Sequence, residues 1–413
     1  MGQKINEQTY EAQENSPRTP IWKFVPPNDY AVPTVHMQKP VSKAWQFFQQ
    51  IFRRKDVLDV SFKKEYDLYS LPRVQLAHLV PSLPWEDVAV ALDTALRDWM
   101  ADEFSENSVK FFIGQPFSEH PEVVSHLGVR HQAVEITPPS IEQILFNEKS
   151  WFDSWPSYGT FWVLPKLEHC YLRHANGLSL VRRLLRLAVS GQLGKGVIGC
   201  DSWAWAYVQR IFPLPQADAI TLQAFDADRL QRLIYGLMKS QSNTKIHYYS
   251  AKHGQEITGI SAEEGQRQKE FEELAAYCRG NVAIATTYWR ERLTYRQDGY
   301  EEPFDGKTKM HTDENRFGEH LWVTAMPPEP ELPIGNDEEY CLLLHAIMLH
   351  GGLPESLLRD LLPFSAIRCR GLLGQMQQFG IVHCANGCWQ VREMAYIVVR
   401  RLLSAHGYLT DSF

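Results

Sequence analysis

The sequence lacks the long apolar runs that mark membrane proteins. No stretch of it approaches the roughly 18 uninterrupted apolar residues that a helix needs to span a bilayer. Residues 1–20 also lack the apolar core of a signal peptide. The seven cysteines are odd in number and scattered through segments predicted as helix or strand. This usage is typical of reduced thiols, so we expect a soluble, cytoplasmic protein.

The sequence also lacks an excess of positive charge and the common catalytic motifs. Its formal net charge is -7 and its pI is near 6.1, which argues against a protein that coats nucleic acid non-specifically. It contains no GxSxG or HExxH motif and no GxGxxG motif that follows a strand. We therefore predict no catalytic residue, no metal site and, on balance, no enzymatic activity.

The clearest structural pattern lies in residues 196–211, GVIGCDSWAWAYVQRI. A short apolar run gives way to aromatic residues at helical spacing. This predicts a buried strand from Val197 to Cys200, a tight turn, and a helix capped by Asp201 or Ser202. Strand, turn and helix form the repeating unit of an α/β domain, in which ligands bind at the carboxyl ends of the strands.

Four further apolar runs repeat this pattern within residues 85–240. Each run is short, is bounded by turn residues and is followed by a segment with helical spacing. The alternation predicts an α/β fold with a five-stranded parallel sheet and helices on both faces. The four runs are Val109 to Gly114, Gln132 to Thr137, Thr160 to Leu164 and Ala219 to Gln223.

The regions on either side of this core are less regular. Residues 1–40 are polar and rich in proline, which predicts an extended or disordered arm. Residues 41–84 are predicted to be a helical segment, in which Trp45 to Lys55 has aromatic residues beside a basic cluster. That helix either packs on the next domain or docks on a membrane surface or partner. Residues 241–335 are predicted as two helices with linker segments.

Residues 336–413 show the order helix, helix, helix, hairpin, helix. This order predicts a winged helix-turn-helix with Ser365 to Phe379 in the recognition position. Four side chains of that helix can contact phosphates and base edges: Arg368, Arg370, Gln375 and Gln378. Acidic residues nearby and the uncharged turn at Asn386-Gly387 weaken the prediction of DNA binding, so DNA and a protein partner both stay open.

The order of these units resembles the AAA+ and STAND classes of P-loop ATPases, in the branch whose lid is followed by a winged helix. The likeness covers about residues 85–413 and includes the lid phrase GNVAIATTYWRERL. It implies a P-loop NTPase-like core over residues 85–240, a small helical lid and linker over 241–335, and a winged-helix domain over 336–413.

In that class the first strand runs into GxxxxGK[ST], whose backbone N–H groups and lysine hold the phosphates. The matching stretch, IGQPFSEHPEVV, contains Gly114 but no lysine, and Pro116 and Pro121 have no N–H to donate. The third strand should end in paired acids, yet Pro165 follows it and Glu168 has no neighbouring acid. The resemblance therefore implies a degenerate ATPase, since the lysine and the paired acids that stabilise charge during phosphoryl transfer are both missing.

The resemblance places any bound nucleotide at the carboxyl edge of the sheet. The residues at this edge also have structural explanations. Asp201 and Ser202 can equally well cap a helix, and Glu168 can pair with Arg173 in a salt bridge or helix cap. The Gly-Lys pair of GQLGKGVIG precedes a strand, which is the wrong context for a phosphate loop. The residues at matching positions are Gly114, Glu168, Asp201, Ser202 and Arg279.

These patterns support three hypotheses. The first is a catalytically degenerate ATPase-like scaffold or regulator without a cofactor, which binds a protein partner or DNA through its winged helix. The second is a nucleotide-binding switch or weak ATPase that holds ATP. The third is a peripheral membrane accessory protein held through Trp45 to Lys55. A homo- or hetero-oligomer is compatible with each of them.

Overall fold

A computed structural model gives the structure of most of the chain. The segment from Trp45 to Lys55, with its predicted docking helix, lies outside the described residues. None of the described helices is both long and apolar enough to cross a membrane. The structure describes residues 20–33, 68–102, 108–156, 159–214, 217–240, 246–251, 257, 264–296, 320–333, 335 and 337–413.

Strands and α-helices alternate through much of this chain. The strands are β1 (Phe24–Val25), β2 (Leu68–Ser70), β3 (Val109–Gly114), β4 (Val134–Glu135), β5 (Trp162–Leu164), β6 (Gly196–Asp201), β7 (Asp218–Leu222), β8 (His247–Ser250), β9 (Leu293–Arg296), β10 (His320–Val323), β11 (Leu353–Pro354), β12 (Val382–Ala385) and β13 (Cys388–Val391). The helices are α1 (Arg73–Leu79), α2 (Trp85–Ala101), α3 (His120–Arg130), α4 (Ile141–Phe146), α5 (Ser179–Val189), α6 (Ser202–Ile211), α7 (Ala227–Ser240), α8 (Glu264–Tyr277), α9 (Val282–Glu291), α10 (Asp337–Leu349), α11 (Glu355–Leu361), α12 (Ala366–Gln378) and α13 (Tyr396–Ala405).

The largest sheet contains the five parallel strands that the sequence predicts. Its order is β1-β7-β3-β6-β5-β4, and β1 adds a sixth strand antiparallel to β7. The central strand β3 pairs in parallel with both β6 and β7. This mixed α/β arrangement, with a sheet dominated by parallel pairs, is compatible with a P-loop-like fold.

Helices cover both faces of this sheet because its central strands are apolar on both sides. β3 turns Phe111 and Ile113 to one face and Phe112 to the other, and all three side chains are buried. α5 and α6 cover the first face, where the ring centroids of Phe111 and Trp205 lie 5.1 Å apart. α2 and α3 cover the second face. The site at the sheet edge thus rests on a rigid three-layer core.

Two glycines in β6 allow this close packing. A Cβ on Gly196 would lie 2.2 Å from the Trp162 ring, and a Cβ on Gly199 would lie 2.4 Å from the carbonyl oxygen of Pro165. The neighbouring Lys195 donates to the carbonyl oxygens of residues 100 and 102 at 2.9 and 2.8 Å. The glycines and the lysine of GQLGKGVIG therefore serve packing rather than phosphate binding.

The amino-terminal residues 20–33 pack on the sheet, within the arm that the sequence predicts to be extended or disordered. Trp22 lies with its ring centroid 5.5 Å from that of Phe225, and Phe24 lies 5.9 Å from Phe112. These two side chains are spaced two residues apart, which suits a strand that adds to the sheet edge. The arm thereby brings Tyr30 to the carboxyl edge of the sheet.

A second sheet, in the order β2-β9-β10-β8, has three strands in the region predicted as a helical lid and linker, and its strand β2 lies in the segment predicted to be helical. That region does contain α8 and α9 on either side of Gly280-Asn281, as predicted, but it also supplies three strands of this sheet. The strands are three or four residues long, and in β8 and β10 only alternate residues are buried. The apolar pattern of each one is therefore too brief to reveal a strand in the sequence.

The carboxyl-terminal part follows the predicted order of elements. The hydroxyl of Ser365 caps α12 by accepting from the Arg368 N–H at 3.2 Å. Asn386 and Gly387 both have positive φ, as a tight two-residue hairpin turn requires. β11 adds to this hairpin and forms a three-stranded sheet in the order β11-β13-β12. α10, α12 and α13 bury their apolar faces in one core with the central region.

Candidate functional site

The candidate site lies where the connections of the large sheet change direction. β3 continues through α3 on one face of the sheet, and its neighbour β6 continues through α6 on the other face. The two strands end side by side, with Gly114 paired to Asp201. Ligands of open α/β sheets bind at such points. A cavity of about 200 Å³ lies here, and its polar lining residues are Glu119, His120, Lys166, Glu168, His169, Asp201 and Gln390.

The loop that follows β3 is closed by its own side chains. A Cβ on Gly114 would lie 2.3 Å from the Cβ of His120 and 2.8 Å from the hydroxyl oxygen of Ser118. The N–H of Ser118 is bonded to the Gln115 carbonyl at 3.1 Å, and two prolines in the stretch have no N–H. A phosphate needs a hollow lined by free N–H groups, so these residues do not fit the phosphates of a nucleotide.

Glu168 lies beside this loop and forms a buried ion pair. Its Oε1 atom lies 3.0 Å from Nε2 of His120, and its Oε2 accepts from the Asp201 N–H at 3.2 Å. Burial opposes ionisation, but the imidazolium of His120 lowers the pKa of Glu168 to about 2. The carboxylate in turn raises the pKa of His120 although burial lowers it. The alternative prediction of Arg173 as partner is wrong, since Arg173 contacts His345 instead.

Asp201 caps α6, as the sequence predicts. Its Oδ1 atom accepts from the N–H of Trp203 at 2.8 Å, and its side chain is buried. Burial raises the pKa of Asp201 to about 8; the nearby carboxylate of Glu168 adds to this shift and His120 opposes it. Asp201 is therefore a neutral acid at pH 7, while the pair beside it is charged.

Ser202 and Arg279 are both engaged by residues 411–413. The hydroxyl of Ser202 donates to the carboxylate of Asp411. The guanidinium of Arg279 donates to the carbonyl oxygen of Phe413 through Nε at 3.0 Å and Nη2 at 2.9 Å. The structure therefore brings Ser202 and Arg279 to one place at the sheet edge, and there a segment of the same chain contacts both.

Two buried histidines join α10 to the loop after β5. Nδ1 of His345 lies 3.0 Å from Nη1 of Arg173, and its Nε2 lies 3.0 Å from the carbonyl oxygen of Leu409. His350 accepts from the Arg173 N–H at 3.3 Å and donates to the backbone carbonyl of Glu168. Burial lowers the pKa of both histidines to about 4, and Arg173 adds to the effect. Both are therefore neutral at pH 7.

We expect this histidine pair to make the protein acid-labile. A lowered pKa means that its stabilising effect is complete above the unfolded value of 6.5 and is lost as the pH falls toward 4. Between pH 7 and 5 the loss is about 2 kcal/mol for each histidine. Urea unfolding at pH 7 and pH 5 measures this loss. Between the two pH values, the free energy of unfolding should fall by about 4 kcal/mol more in wild type than in a His345→Gln, His350→Gln variant.

The control for this comparison is the exposed His126 of α3. Its side chain lies on the surface of the protein. His126→Gln should retain the wild-type pH dependence. If the double variant and wild type instead respond equally to acid, the two buried histidines do not limit stability at low pH.

The residues predicted for DNA or partner binding lie on α12, but most are engaged. Arg368 pairs with Glu339, and Arg370 bonds to Oε1 of Glu355 at 2.9 to 3.1 Å. Gln375 accepts from the hydroxyl of Tyr340 at 2.6 Å, while Gln378 is exposed to solvent. Both arginine charges are thereby compensated by neighbouring carboxylates.

Sequence reasoning missed the partners that complete this site. His120 lies in the stretch IGQPFSEHPEVV after the first predicted strand of the core, but no spacing rule connects it to a glutamate 48 residues later. Asp411 and Arg400 lie still further from Ser202 along the chain. The one available signal is a lone histidine directly before Pro121 at a predicted helix start, and that pattern alone does not identify an ion pair.

The two cysteines closest to the candidate site, Cys170 and Cys200, are buried. Cys200 is fully buried, and burial raises the pKa of its thiol well above the ordinary value. A buried thiol of this kind is a poor nucleophile. The cysteines are all free. Within the part of the chain that the structure describes, no three histidine, cysteine, aspartate or glutamate residues gather to hold a metal ion.

No protein-family model matches this chain, and no curated protein matches it. Among solved structures, the chain is similar to the ORC2 protein of Aeropyrum pernix, determined in complexes with ADPNP and ADP. The likeness covers 80% of this chain and 96% of that chain, at 10% sequence identity and a TM-score of 0.24. Similarity of this extent assigns neither a family nor a function.

Proposed function

We propose that the chain is a nucleotide-independent scaffold of ATPase-like architecture, and that its residues 337–413 form a winged helix that binds a protein partner. The observation that carries the proposal is the closed loop after β3. The side chains of Ser118 and His120 fill the space over Gly114 that a phosphate would need. Glu168, which would have to assist hydrolysis, is held in a buried pair with His120.

No observation favours the two alternative hypotheses to the same degree. A nucleotide switch would need Gly114, Glu168, Asp201, Ser202 and Arg279 to face an open cleft, and each of them is engaged or covered by groups of the same chain. Membrane docking depends on Trp45 to Lys55, which lies outside the described residues. The scaffold proposal therefore rests on the described residues alone.

Charge favours a protein over DNA as the ligand of α12. Phosphate binding requires free cationic groups, and each one contributes to a salt-dependent affinity. Arg368 and Arg370 are each paired with a glutamate, so they add little net positive potential. The turn at Asn386-Gly387, which would lie near a DNA backbone, has no lysine or arginine.

The exposed face of α12 supports a protein as its ligand. Ile367 is 87% exposed at the start of the helix. Gly371 and Gly374 follow on the same face at helical spacing, and a Cβ on either would meet nothing within 4 Å. Glycine costs about 1 kcal/mol relative to alanine in a helix. Because packing within the chain does not require these glycines, we infer that close approach by a partner does.

The Gly371→Ala, Gly374→Ala variant should be more stable than wild type. Both positions are helical and open, so the free energy of unfolding should rise by about 1 to 2 kcal/mol. Urea denaturation measures this change. A loss of stability would show that the two glycines serve packing inside the chain, and the inferred contact face would then have no basis.

A photoreactive residue at position 367 tests whether α12 binds a protein. The matched control is position 74, where Val74 is 82% exposed on α1. In cells, the residue at 367 should cross-link to one discrete protein and the residue at 74 should not. Adducts to DNA at 367, or equal protein adducts at both positions, would contradict the proposal.

DNA binding has its own test. At low salt and up to about 10 μM protein, a duplex should give no gel shift, since non-specific DNA binders reach dissociation constants of about 10⁻⁴ to 10⁻⁶ M even at physiological salt. The Arg368→Ala, Arg370→Ala variant should behave as wild type does. A low-salt shift that this variant abolishes would identify DNA as the ligand and overturn the proposal.

A further inference from the structure

Residues 409–413 lie along the carboxyl edge of the large sheet without regular secondary structure. Within the described residues they form no backbone-to-backbone hydrogen bond. Side chains of other elements hold them instead. The segment is thus bound in the way that a peptide ligand is bound in a groove, through a few anchoring groups.

The first anchor is the carboxylate of Asp411, which is buried. It accepts from the hydroxyl of Ser202 at the start of α6, and its Oδ1 lies 2.7 Å from Nη2 of Arg400. The positive end of the α6 dipole faces the same place and favours an anion there. This end of the site therefore holds a carboxyl group through two donors, while burial raises the pKa of Asp411 and Arg400 opposes that shift.

The second anchor is Phe413. Its ring is buried against the sheet core, and its centroid lies 4.7 Å from that of Tyr30 in an edge-to-face arrangement. Its carbonyl oxygen accepts from both Arg279 and Arg400. Two residues beyond the carboxylate, the site therefore selects an aromatic ring. We call the surface formed by Tyr30, Ser202, Arg279 and Arg400 the edge groove.

The chain's own segment leaves the edge groove imperfectly satisfied. Nε of Arg400 is buried and has no hydrogen-bond partner, although Asp411 and Phe413 contact the same guanidinium. Arg279 contacts Phe413 from a left-handed backbone conformation with φ of 55°, which residues other than glycine rarely adopt. A bound peptide with one more hydrogen-bond acceptor than this segment would pair with the buried Nε–H of Arg400.

We propose that the edge groove is a peptide-binding site that the Leu409–Phe413 segment fills in this structure, and that a partner protein competes for it with a segment carrying a carboxylate and, two residues on, an aromatic ring. Binding of the partner displaces the segment and frees residues 337–413 from one of their anchors on the sheet edge. The proposal goes beyond the scaffold function because it uses a different surface from α12.

The test uses a labelled peptide of residues 407–413 as the probe. The Asp411→Ala, Phe413→Ala variant of the full chain removes both anchoring side chains and should weaken the hold of the segment on the groove. By fluorescence anisotropy it should bind the peptide at least tenfold more tightly than wild type, whose groove is filled. A peptide with asparagine in place of the aspartate should bind at least tenfold more weakly. Adding Arg279→Gln to the variant should abolish binding.

Several results would overturn the proposal. One is a variant that unfolds cooperatively but does not bind the peptide, and another is equal binding by variant and wild type. If the double variant does not fold, Asp411→Asn replaces it, and the absence of any rise in its melting temperature with peptide counts against the proposal. A wild-type dimer that the peptide dissociates would show that the occupant comes from a second copy, which also contradicts it.

Discussion

Replacing Glu168 by alanine should lower the free energy of unfolding by about 3 to 5 kcal/mol, the usual cost of breaking a buried ion pair from one side. The substitution leaves the buried imidazolium of His120 without a counterion and the Asp201 N–H without its acceptor. His120 must then lose its proton or be solvated. Either change disturbs the loop that packs over Gly114 at the centre of the site.

Urea denaturation at pH 7 measures this loss, and Glu142→Ala is the matched control. Glu142 is an exposed glutamate at the start of α4, so its replacement should change stability by about 0.5 kcal/mol or less. A double-mutant cycle with His120→Ala separates the pair from its surroundings. If the two single losses add without an interaction energy, His120 and Glu168 do not act as a pair.

Asp201→Asn should have a large effect of the opposite sign and stabilise the protein. Asparagine reproduces the neutral form of the acid and keeps an oxygen that can cap the Trp203 N–H. A raised pKa means that the stabilising effect of Asp201 is complete below its unfolded value of 3.8 and is lost as the pH rises toward 8. At pH 7 the wild type therefore bears a cost of about 2 to 4 kcal/mol, which asparagine removes.

The pH dependence of this gain in stability shows whether it comes from removing a buried ionisable carboxyl or from a better helix cap. The difference between variant and wild type should be small at pH 4.5 and should grow until the pH passes about 8, above which the carboxyl is ionised in both states. Urea unfolding at pH 5 and pH 8 measures the two ends. A gain of equal size at both pH values would mean that Asp201 is not a buried neutral acid.

Much of the large sheet could be predicted from the sequence because each strand is a local signal. A buried parallel strand is apolar on both faces, so the runs at β3, β6 and β7 stand out between turn residues and amphipathic helices. Caps are local as well, and the sequence predicts the Asp201 cap because a cap bonds to a backbone N–H within three residues. The strands of the second sheet could not be predicted because three or four residues are too few to show a period in their apolar residues.

The chemistry of the site could not be predicted because its partners are distant in sequence. Glu168 was expected to pair with Arg173, five residues away, whereas the fold brings it His120. Arg279 was placed near a nucleotide, and its acceptor is the carbonyl of Phe413, 134 residues later. Such pairings depend on how strand ends meet at one edge, which only the tertiary structure shows.

A titration of Mg²⁺–ATP, followed by calorimetry and by thermal unfolding, tests the central claim most directly. The claim is that the loop after β3 is packed too closely by its own side chains to hold the phosphates of a nucleotide. It predicts no saturable heat and an unchanged melting temperature at millimolar ATP. Saturable binding with a dissociation constant of about 10 μM would stabilise the protein by about 2.7 kcal/mol at 1 mM ATP, and that result would contradict the claim.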